Sequence, residues 1–493
     1  MHIHRLARAT AVVIPFVFFS SANAQYVAWD RFYGGDHEDY CYSVLSLENG
    51  GFALFGRTFS FGAGSYDFYF IRTDSLGNPE WSNTYGSENY ERAASMDQTS
   101  DGGFILVGSW HPQYTGYWDM YAVKIDSSGN QEWESTYGFS GNHHDYGASV
   151  TQTIDGGYAI AGRTDSTLTG FGKDILVIKI DQTGNVEWQA QYGGEYSDWC
   201  QSIVETDDGG FFISGSTNSF SIRDDFYAVK TDSMGNIEWE TVVGGDEYDR
   251  CTDGIQTEDG GYAMVGYSNT FSSSDDFYVV KLYPDGEIEW ETVIGNEYLD
   301  QARSVCQTSD QGFIICGNTQ LMNPGHTQGC ILKLDSSGSK EWQLICGGDD
   351  NEYLYSIDEV TLGKYISAGI TGSYGPNYYN YWLVKIESDV SISTERSEPF
   401  TSEANLQTLY PNPAHDLFEV VYSLEQQSRV AITIYSTDGR SMCNYDLGMQ
   451  AQGFHSFAIN SDDPAGSMLP QGLYFVRLDT DGSSSVRSIL ILD

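Results

Sequence analysis

Basic residues are scarce: 24 Lys and Arg stand against 69 Asp and Glu in 493 residues, a formal charge of -45. A chain this acidic repels phosphate backbones and anionic membrane surfaces, which excludes nucleic acid as a partner. Proline is scarce at 11, and the 8 Cys are too dispersed for a disulfide framework. No Cys-x-x-Cys pair occurs, so a zinc ribbon is excluded. No apolar run reaches the roughly 20 residues of a spanning helix, so no transmembrane segment is expected. Helical periodicity is missing as well, which excludes a helical solenoid. What abounds is Gly 54, Tyr 35, Phe 25 and Trp 11, the material of short aromatic strands joined by glycine turns. The chain reads as all-β.

The first 24 residues form a signal peptide. Arg5 and Arg8 precede an apolar run from Ala11 to Phe19, and Ala22-Asn23-Ala24 supplies small residues at a cleavage site. The mature chain is expected to begin at Gln25.

Internal repetition sets the fold. Trp29, Trp81, Trp133, Trp188, Trp239, Trp290 and Trp342 follow at spacings of 52, 52, 55, 51, 51 and 52 residues. Between them one text recurs, as in Asp208-Gly209-Gly210, Asp225-Phe226-Tyr227-Ala228-Val229-Lys230 and Asp232-Ser233-Met234-Gly235-Asn236-Ile237-Glu238-Trp239. Each unit holds four short strands, A to D. Asp-Gly-Gly turns A into B, and Asp-x-x-Gly-Asn turns C into D. Four strands at a period near 50 describe a β-propeller, and seven A–B turns give seven blades. The last C strand, Tyr381 to Lys385, has no Trp after it. The missing D strand is expected to be Val27 to Tyr33, closing blade seven and leaving no open edge. The repeated Trp are expected to be buried between blades. This text resembles that of secreted seven-bladed propellers among bacterial surface proteins, over residues 27 to about 390.

Residues 392–404 are polar and unpatterned, a linker between the propeller at 25–391 and a second domain at 405–493. The alternation from Val430 to Tyr435 and the strand from Leu473 to Leu478 predict a small Ig-like β-sandwich. Tyr410-Pro411-Asn412-Pro413, Gly439-Arg440 and Leu469-Pro470-Gln471-Gly472-Leu473-Tyr474 stand in that order. The tail resembles the type A C-terminal sorting domain of the type IX secretion system, with motif positions at Tyr410, Pro411, Asn412, Pro413, Gly439, Arg440, Gly472 and Tyr474. That resemblance implies the outer-membrane secretion machinery as a partner, passage across the outer membrane, and a destination at the cell surface or in the medium. Many family members end in a basic residue. This chain ends in Asp493, so attachment and release both stand.

Carboxylates recur three apart in the D–A loops: Asp36/Asp39, Glu88/Glu91, Glu195/Asp198, Asp246/Asp249, Glu297/Asp300 and Asp349/Glu352, with Asp145 alone in blade three. These loops lead into the innermost strand, so the acids are expected around the channel mouth. Two readings stand. The acids bind a cation such as Ca²⁺, or a basic or polyhydroxylated ligand. Otherwise the second acid of each pair accepts backbone amides of a neighbouring blade. Calcium is the one cofactor suggested.

His37, His111, His143 and His144 fall on the same face, as a metal-binding group or as solvated surface. Cys306, Cys316, Cys330 and Cys346 fall one to each strand of blade six, as buried thiols or with at least one bridge. The B–C loops differ from unit to unit, with Trp110, His111, Trp118, Tyr374 and Tyr378 among them, as recognition loops on a rigid ring do. The Asp-x-x-Gly-Asn-x-Glu-Trp turn matches the spacing of neither sialidase Asp-boxes nor quinoprotein docking motifs, and reads as structural.

These features predict an exported, monomeric propeller acting as a binding or adhesion module for an extracellular glycan or protein. The alternative is a hydrolase or lyase that works on an extracellular polymer through the central funnel. An enzyme needs a few unique residues in one sector, whereas the acids repeat all round, which favours binding.

Overall fold

The recurring text is the wiring of one antiparallel sheet. In the fourth unit, strands Asp198–Glu205, Phe211–Thr217, Asp225–Thr231 and Ile237–Val243 pair in sequence order. Asp208 accepts the Thr206 hydroxyl at 2.5 Å and the Gly210 amide at 3.0 Å, holding the A–B turn with Gly209 at φ +78. Asp232 accepts the amides of Met234 and Asn236, both at 2.9 Å, and fixes the C–D turn. Lys230, 3 % exposed, reaches Asp208 at 2.9 Å and Glu238 at 3.0 Å. Asp-Gly-Gly, Val-Lys and Glu-Trp are thus three parts of one ion triad. It is rebuilt around Lys124, Lys179, Lys281 and Lys333.

The computed structural model describes residues 25–112, 116–139, 141–166, 172–321, 325–374, 378–388, 404–410, 417–424, 427–436, 440–450, 453–460, 469–470, 472–480 and 484–491. The expected signal peptide at 1–24 and residues 392–403 of the expected linker lie outside them, as do Pro411, Asn412, Pro413 and Gly439 of the sorting motif. Among the described residues the chain is all-β, with no helix.

Seven four-stranded sheets are described between residues 25 and 388. Each innermost strand touches the innermost strand of the next sheet, and the last, Glu352–Thr361, touches the first, Asp39–Ser46. The arrangement is consistent with a propeller. Strand Gln25–Tyr33 runs antiparallel to Asn380–Ser388 and supplies the outer strand of the last sheet, as the Trp series predicted. First and last sheets are joined by the Val44 amide on Ser356 Oγ at 3.1 Å, the Ser46 amide on Asp358 at 2.9 Å, and the Tyr381 hydroxyl on Tyr69 O at 3.0 Å.

One expectation is corrected and one pair of alternatives is decided. The repeated Trp are half-buried on the outer strand, not enclosed between blades. Each ring from Trp29 to Trp290 lies against the C–D glycine of the next sheet. A β-carbon on Gly235 would sit 2.9 Å from the Trp188 ring, and one on Gly77 as close to Trp29. A half-covered indole keeps its Nε1 free to bond outward, as Trp133 does to Gln182 O at 3.1 Å. The cysteines of sheet six sit one on each strand as expected, and of the two readings offered for them the free thiols hold: all eight cysteines are free. Cys316 and Cys346 share one apolar cluster while Cys330 packs into the cluster on the other side of its sheet, so the alternation of strand side chains separates neighbours.

In the tail, strands Ala404–Tyr410, Leu417–Leu424 and Gly453–Asn460 form one sheet. Ser441–Gln450, Ser428–Ser436, Gly472–Asp479 and Ser484–Ile491 form a second. Phe418, Val420 and Tyr422 of the first share one core with Ile432, Ile434 and Val476 of the second.

Candidate functional site

Every innermost strand of the ring carries a β-bulge at the same place. Pairing jumps from Cys41 to Ser43 in the first sheet, and likewise skips Ala94, Ala148, Gln201, Thr252, Arg303 and Tyr355. A glycine of strand B faces each bulge. A β-carbon on Gly56 would collide with Tyr40 O, and one on Gly369 with Tyr353 O. Bulges re-aim side chains beside binding sites. Below them a cavity of about 750 Å³ follows the innermost strands, lined by Ser43, Ser95, Ser149, Ser202, Asp253, Ser304 and Ser356.

The bulge residues are small or polar in four sheets and large in three that are adjacent around the ring: Arg303, Tyr355 and Tyr42. From there an aromatic arc runs on in one direction. Tyr353 meets Tyr355 at 6.3 Å between ring centres, Tyr355 meets Tyr42 at 5.5 Å, and Tyr42 meets Tyr40 at 6.3 Å. Tyr40 continues to Tyr66 at 6.5 Å, Tyr66 to Tyr90 at 5.2 Å, Tyr90 to Trp118 at 5.3 Å and Trp118 to Tyr146 at 5.6 Å. The arc spans sheets seven, one, two and three. Its members sit at strand A starts, strand C starts and B–C loops, the end of the ring where the variable loops lie.

Arginines stand on this arc. Arg57 lies over Tyr40 and Tyr66, 4.6 Å from each, and donates to the Tyr90 hydroxyl at 3.1 Å. Arg163 lies 4.6 Å over Tyr146, and Arg303 5.9 Å from Tyr355. Burial, then Arg92, pulls the Arg163 pKa down. Burial, then Glu38, pushes the Tyr40 phenol up to about 12, so it stays a hydrogen-bond donor at neutral pH. Glu38 accepts the Tyr40 hydroxyl at 3.2 Å and the Tyr66 hydroxyl at 2.7 Å.

The D–A loop acids divide into two environments. Asp36, Glu88, Glu195, Asp246, Glu297 and Asp349 are exposed. Asp39, Glu91, Asp145, Asp198, Asp249, Asp300 and Glu352 are buried. The buried set accepts amides of the D–A loop itself: Gly35, Ser87, Phe139, Gly194, Gly245, Asn296 and Gly348, at 2.7–3.2 Å. These amides belong to the acid's own loop, not to a neighbouring sheet. Among the described residues no three His, Cys, Asp or Glu side chains gather as metal ligands. His111 and His144 instead pack on aromatic rings, His111 on Trp118 at 4.9 Å and His144 on Tyr117 at 4.9 Å. His37 packs on Phe59 at 5.3 Å, and His143 lies 3.5 Å from Asp165.

In the tail, Tyr410 ends its strand and Arg440 is exposed, its carbonyl accepting the Ser436 amide at 2.9 Å. Tyr474 is buried and donates to Pro470 O at 2.7 Å, a bond between two positions of the Leu-Pro-x-Gly-x-Tyr motif, with Gly472 leading its strand.

Sequence reasoning missed Tyr40, Tyr42, Tyr66, Tyr90, Tyr146, Tyr355 and the arginines above them. One signal was available: in a chain with so little Arg, three of them fall at positions 57, 92 and 163, in consecutive units.

Residues 408–492 match the family of secretion-system C-terminal sorting domains. That domain marks the protein for type IX export and for an extracellular or cell-surface location, with the secretion machinery as a partner. No helix among the described residues is long and apolar enough to cross a membrane. No curated protein matches the chain. Among solved structures the chain is similar to a fungal alcohol oxidase of the AA5 family in complex with copper (13% identical, TM-score 0.47, covering 95% of this chain and 99% of that one). It is similar also to the α-L-arabinanase of Penicillium chrysogenum complexed with arabinobiose (11% identical, TM-score 0.41, 74% and 98% covered). A third likeness is to PorZ, a surface component of the type IX secretion system of Porphyromonas gingivalis (9% identical, TM-score 0.26, 92% and 81% covered).

Proposed function

We propose that the protein is a seven-bladed β-propeller acting outside the cell as a binding module, delivered by an Ig-like C-terminal sandwich at 405–493 and holding its ligand on the aromatic arc. One observation carries this reading. The parts that repeat in nearly every unit, such as the Lys triads and the buried D–A acids, serve the fold, whereas the arc occupies one sector of the ring. Half-buried aromatic rings in a row offer flat apolar faces with hydroxyls at their edges, the surface that sugar rings stack against. The buried acid of each D–A loop is engaged by its own loop amides, and the exposed acids repeat round the ring rather than gather in one sector, which favours binding over catalysis at the channel mouth. A signal peptide at 1–24 and a monomeric ring complete the proposal.

The test is a glycan panel against the purified mature protein and its Trp118→Ala variant. Binding without turnover, weakened at least ~10-fold in the variant at unchanged melting temperature, is expected. Turnover of a bound glycan, or equal binding by the variant, overturns the reading.

A further inference from the structure

We propose that the arc selects an acidic glycan, one whose sugars carry carboxylate or sulfate groups, through the guanidinium groups of Arg57, Arg92 and Arg163. The proposal rests on the binding reading above and adds its ligand class.

The pairing of charges in this chain is the starting observation. Acids outnumber bases 69 to 24, so a cation has carboxylates to choose from. The buried Lys of five sheets each hold two of them. Arg223 and Arg250, in sheets four and five, reach Glu247 and Asp224. Yet among the described residues Arg57, Arg92 and Arg163 make no ion pair. Arg57 Nε and Arg163 Nε are moreover buried with no hydrogen-bond partner. A buried charged donor left open is costly unless something else completes it.

Their geometry suits an oxyanion that offers two oxygens side by side. Arg57 lies between the Tyr40 and Tyr66 faces and Arg163 on the Tyr146 face, so each guanidinium is pinned by stacking with donors left at its edge. Such a fork meets carboxylate or sulfate two bonds at a time. Arg92 is exposed on the innermost strand between them, and its charge acts on Tyr42, Tyr146 and Arg163 alike. Three like charges brought into one sector repel one another, and an anionic ligand turns that repulsion into attraction.

The opposing groups are few. Glu38 acts on the same Tyr40 phenol as Arg57 and is held by the Tyr40 and Tyr66 hydroxyls. Asp165 acts on the same Tyr146 as Arg163, and accepts the His144 amide at 2.7 Å. The remaining acids act across water, where the Debye length of about 8 Å at physiological salt confines the contest to the groups named. Sugar is favoured over an acidic peptide because the rings of Tyr90 and Trp118 extend the site as flat apolar faces, which an extended polyglutamate has little to cover.

The test is calorimetric titration of the mature protein with oligogalacturonate, sulfated galactan oligosaccharides, cello-oligosaccharides of equal length and polyglutamate. Binding of either acidic glycan, weakened at least ~10-fold by Arg92→Gln and partly kept by Arg92→Lys, is expected; the two acidic arms separate carboxylate from sulfate. Arg92 is exposed, so folding of its variants is secure, and Arg57→Gln and Arg163→Gln are read alongside. Equal binding of cello-oligosaccharides, or all three arginine variants unchanged, overturns the acidic ligand while leaving an arc sensitive to Trp118→Ala intact. Preference for polyglutamate overturns the glycan class. No binding in any arm overturns both readings.

Discussion

Asp67 Oδ1 and Glu91 Oε2 converge on the α-carbon of Gly86: a β-carbon built there would lie 2.7 Å from the first and 2.9 Å from the second. Asp67 begins strand C of one sheet and Glu91 is the second residue of strand A of the next, so the pair sits at a sheet junction. Asp225 and Asp249 flank Gly244 in the same way, at 2.5 and 2.7 Å. At the two junctions of sheet seven an amide replaces one acid: Gln328 faces Glu352 over Gly347, and Asn380 faces Asp39 over Gly34.

Two buried carboxylates that face one another resist ionising together. Burial, then Asp67, raises Glu91 to about 7, against the hydrogen bonds from Ser87. Burial raises Asp300 to about 6, and Asp67, Asp145, Asp198 and Asp249 are raised likewise. Raised folded values mean stability that is complete below the unfolded value near 4 and lost as pH climbs through 6 to 7, at about 1.4 kcal/mol per pH unit for each group. At the acid end the turn aspartates act oppositely. Burial works to raise them, but Thr, Gly and Lys hydrogen bonds win and hold Asp101, Asp208 and Asp259 near 2, so their contribution is lost only as pH falls through that value. The melting temperature is therefore expected to be highest near pH 4, to fall between pH 4 and 7, and to be lower at pH 8. Glu91→Gln copies the amide junctions and should raise the pH 8 value. Scanning calorimetry across pH checks both, and a curve that rises steadily to pH 8 refutes the paired-acid account.

Gly86→Ala places a methyl group against both carboxylates, at a φ of +141 that disfavours any side chain. Neither acid can retreat into packed sheet, so a loss of about 2–3 kcal/mol is expected by denaturant titration. Gly50→Ala, in an open turn at φ +82 with its nearest neighbour 3.8 Å away, meets conformational strain alone and should lose about 1 kcal/mol.

The sequence made the sheets legible because their interactions repeat. Asp208, Lys230 and Glu238 recur as a text, and the strand Gln25–Tyr33 could be assigned to sheet seven because Trp29 begins the Trp series. The arc was hidden for the opposite reason. Tyr40, Trp118 and Arg163 come from three units and three kinds of position, and the bulge that skips Tyr42 leaves no mark of its own in the chain. The D–A acids were visible as pairs three apart, but the carboxylate that matters to Glu91 is Asp67, supplied by the preceding C strand. A one-dimensional spacing finds repeats within a unit and misses contacts made across the junction of two.

Lys230→Met keeps the apolar stem and deletes the charge. Asp208 and Glu238 are 59% and 47% exposed, so water takes over their solvation and the loss stays below that of a fully buried pair. About 1–2 kcal/mol is expected, read as a melting temperature lower by a few degrees. The difference should narrow only as pH falls through about 2, where the Asp208 carboxylate of the wild type takes up its proton. A persistent difference there would assign the effect to packing.

Strand Gln25–Tyr33 is where closure can be tested. Its Trp29 ring covers Gly77 and packs on Phe52 at 5.9 Å, and its Tyr33 hydroxyl reaches Gly77 O at 2.7 Å. Asp30 accepts the indole N–H of the buried Trp382 at 3.1 Å. Deleting residues 25–34 removes all of these and leaves Asn380–Ser388 as an open edge with unpaired backbone groups. The loss is expected to be about 4 kcal/mol or more, comparable to truncating a large buried aromatic. A simple trim of a free terminus would leave the melting temperature unchanged, and that result would show that the ring does not depend on its first strand. Complementation separates the remaining cases. A synthetic peptide of residues 25–34 added in trans should pair with the empty edge and raise the melting temperature in proportion to the logarithm of its concentration. A peptide carrying Asp30→Ala and Trp29→Ala should bind weakly or not at all, because it keeps the ladder but loses the two side chains that fix its register against Trp382 and Gly77.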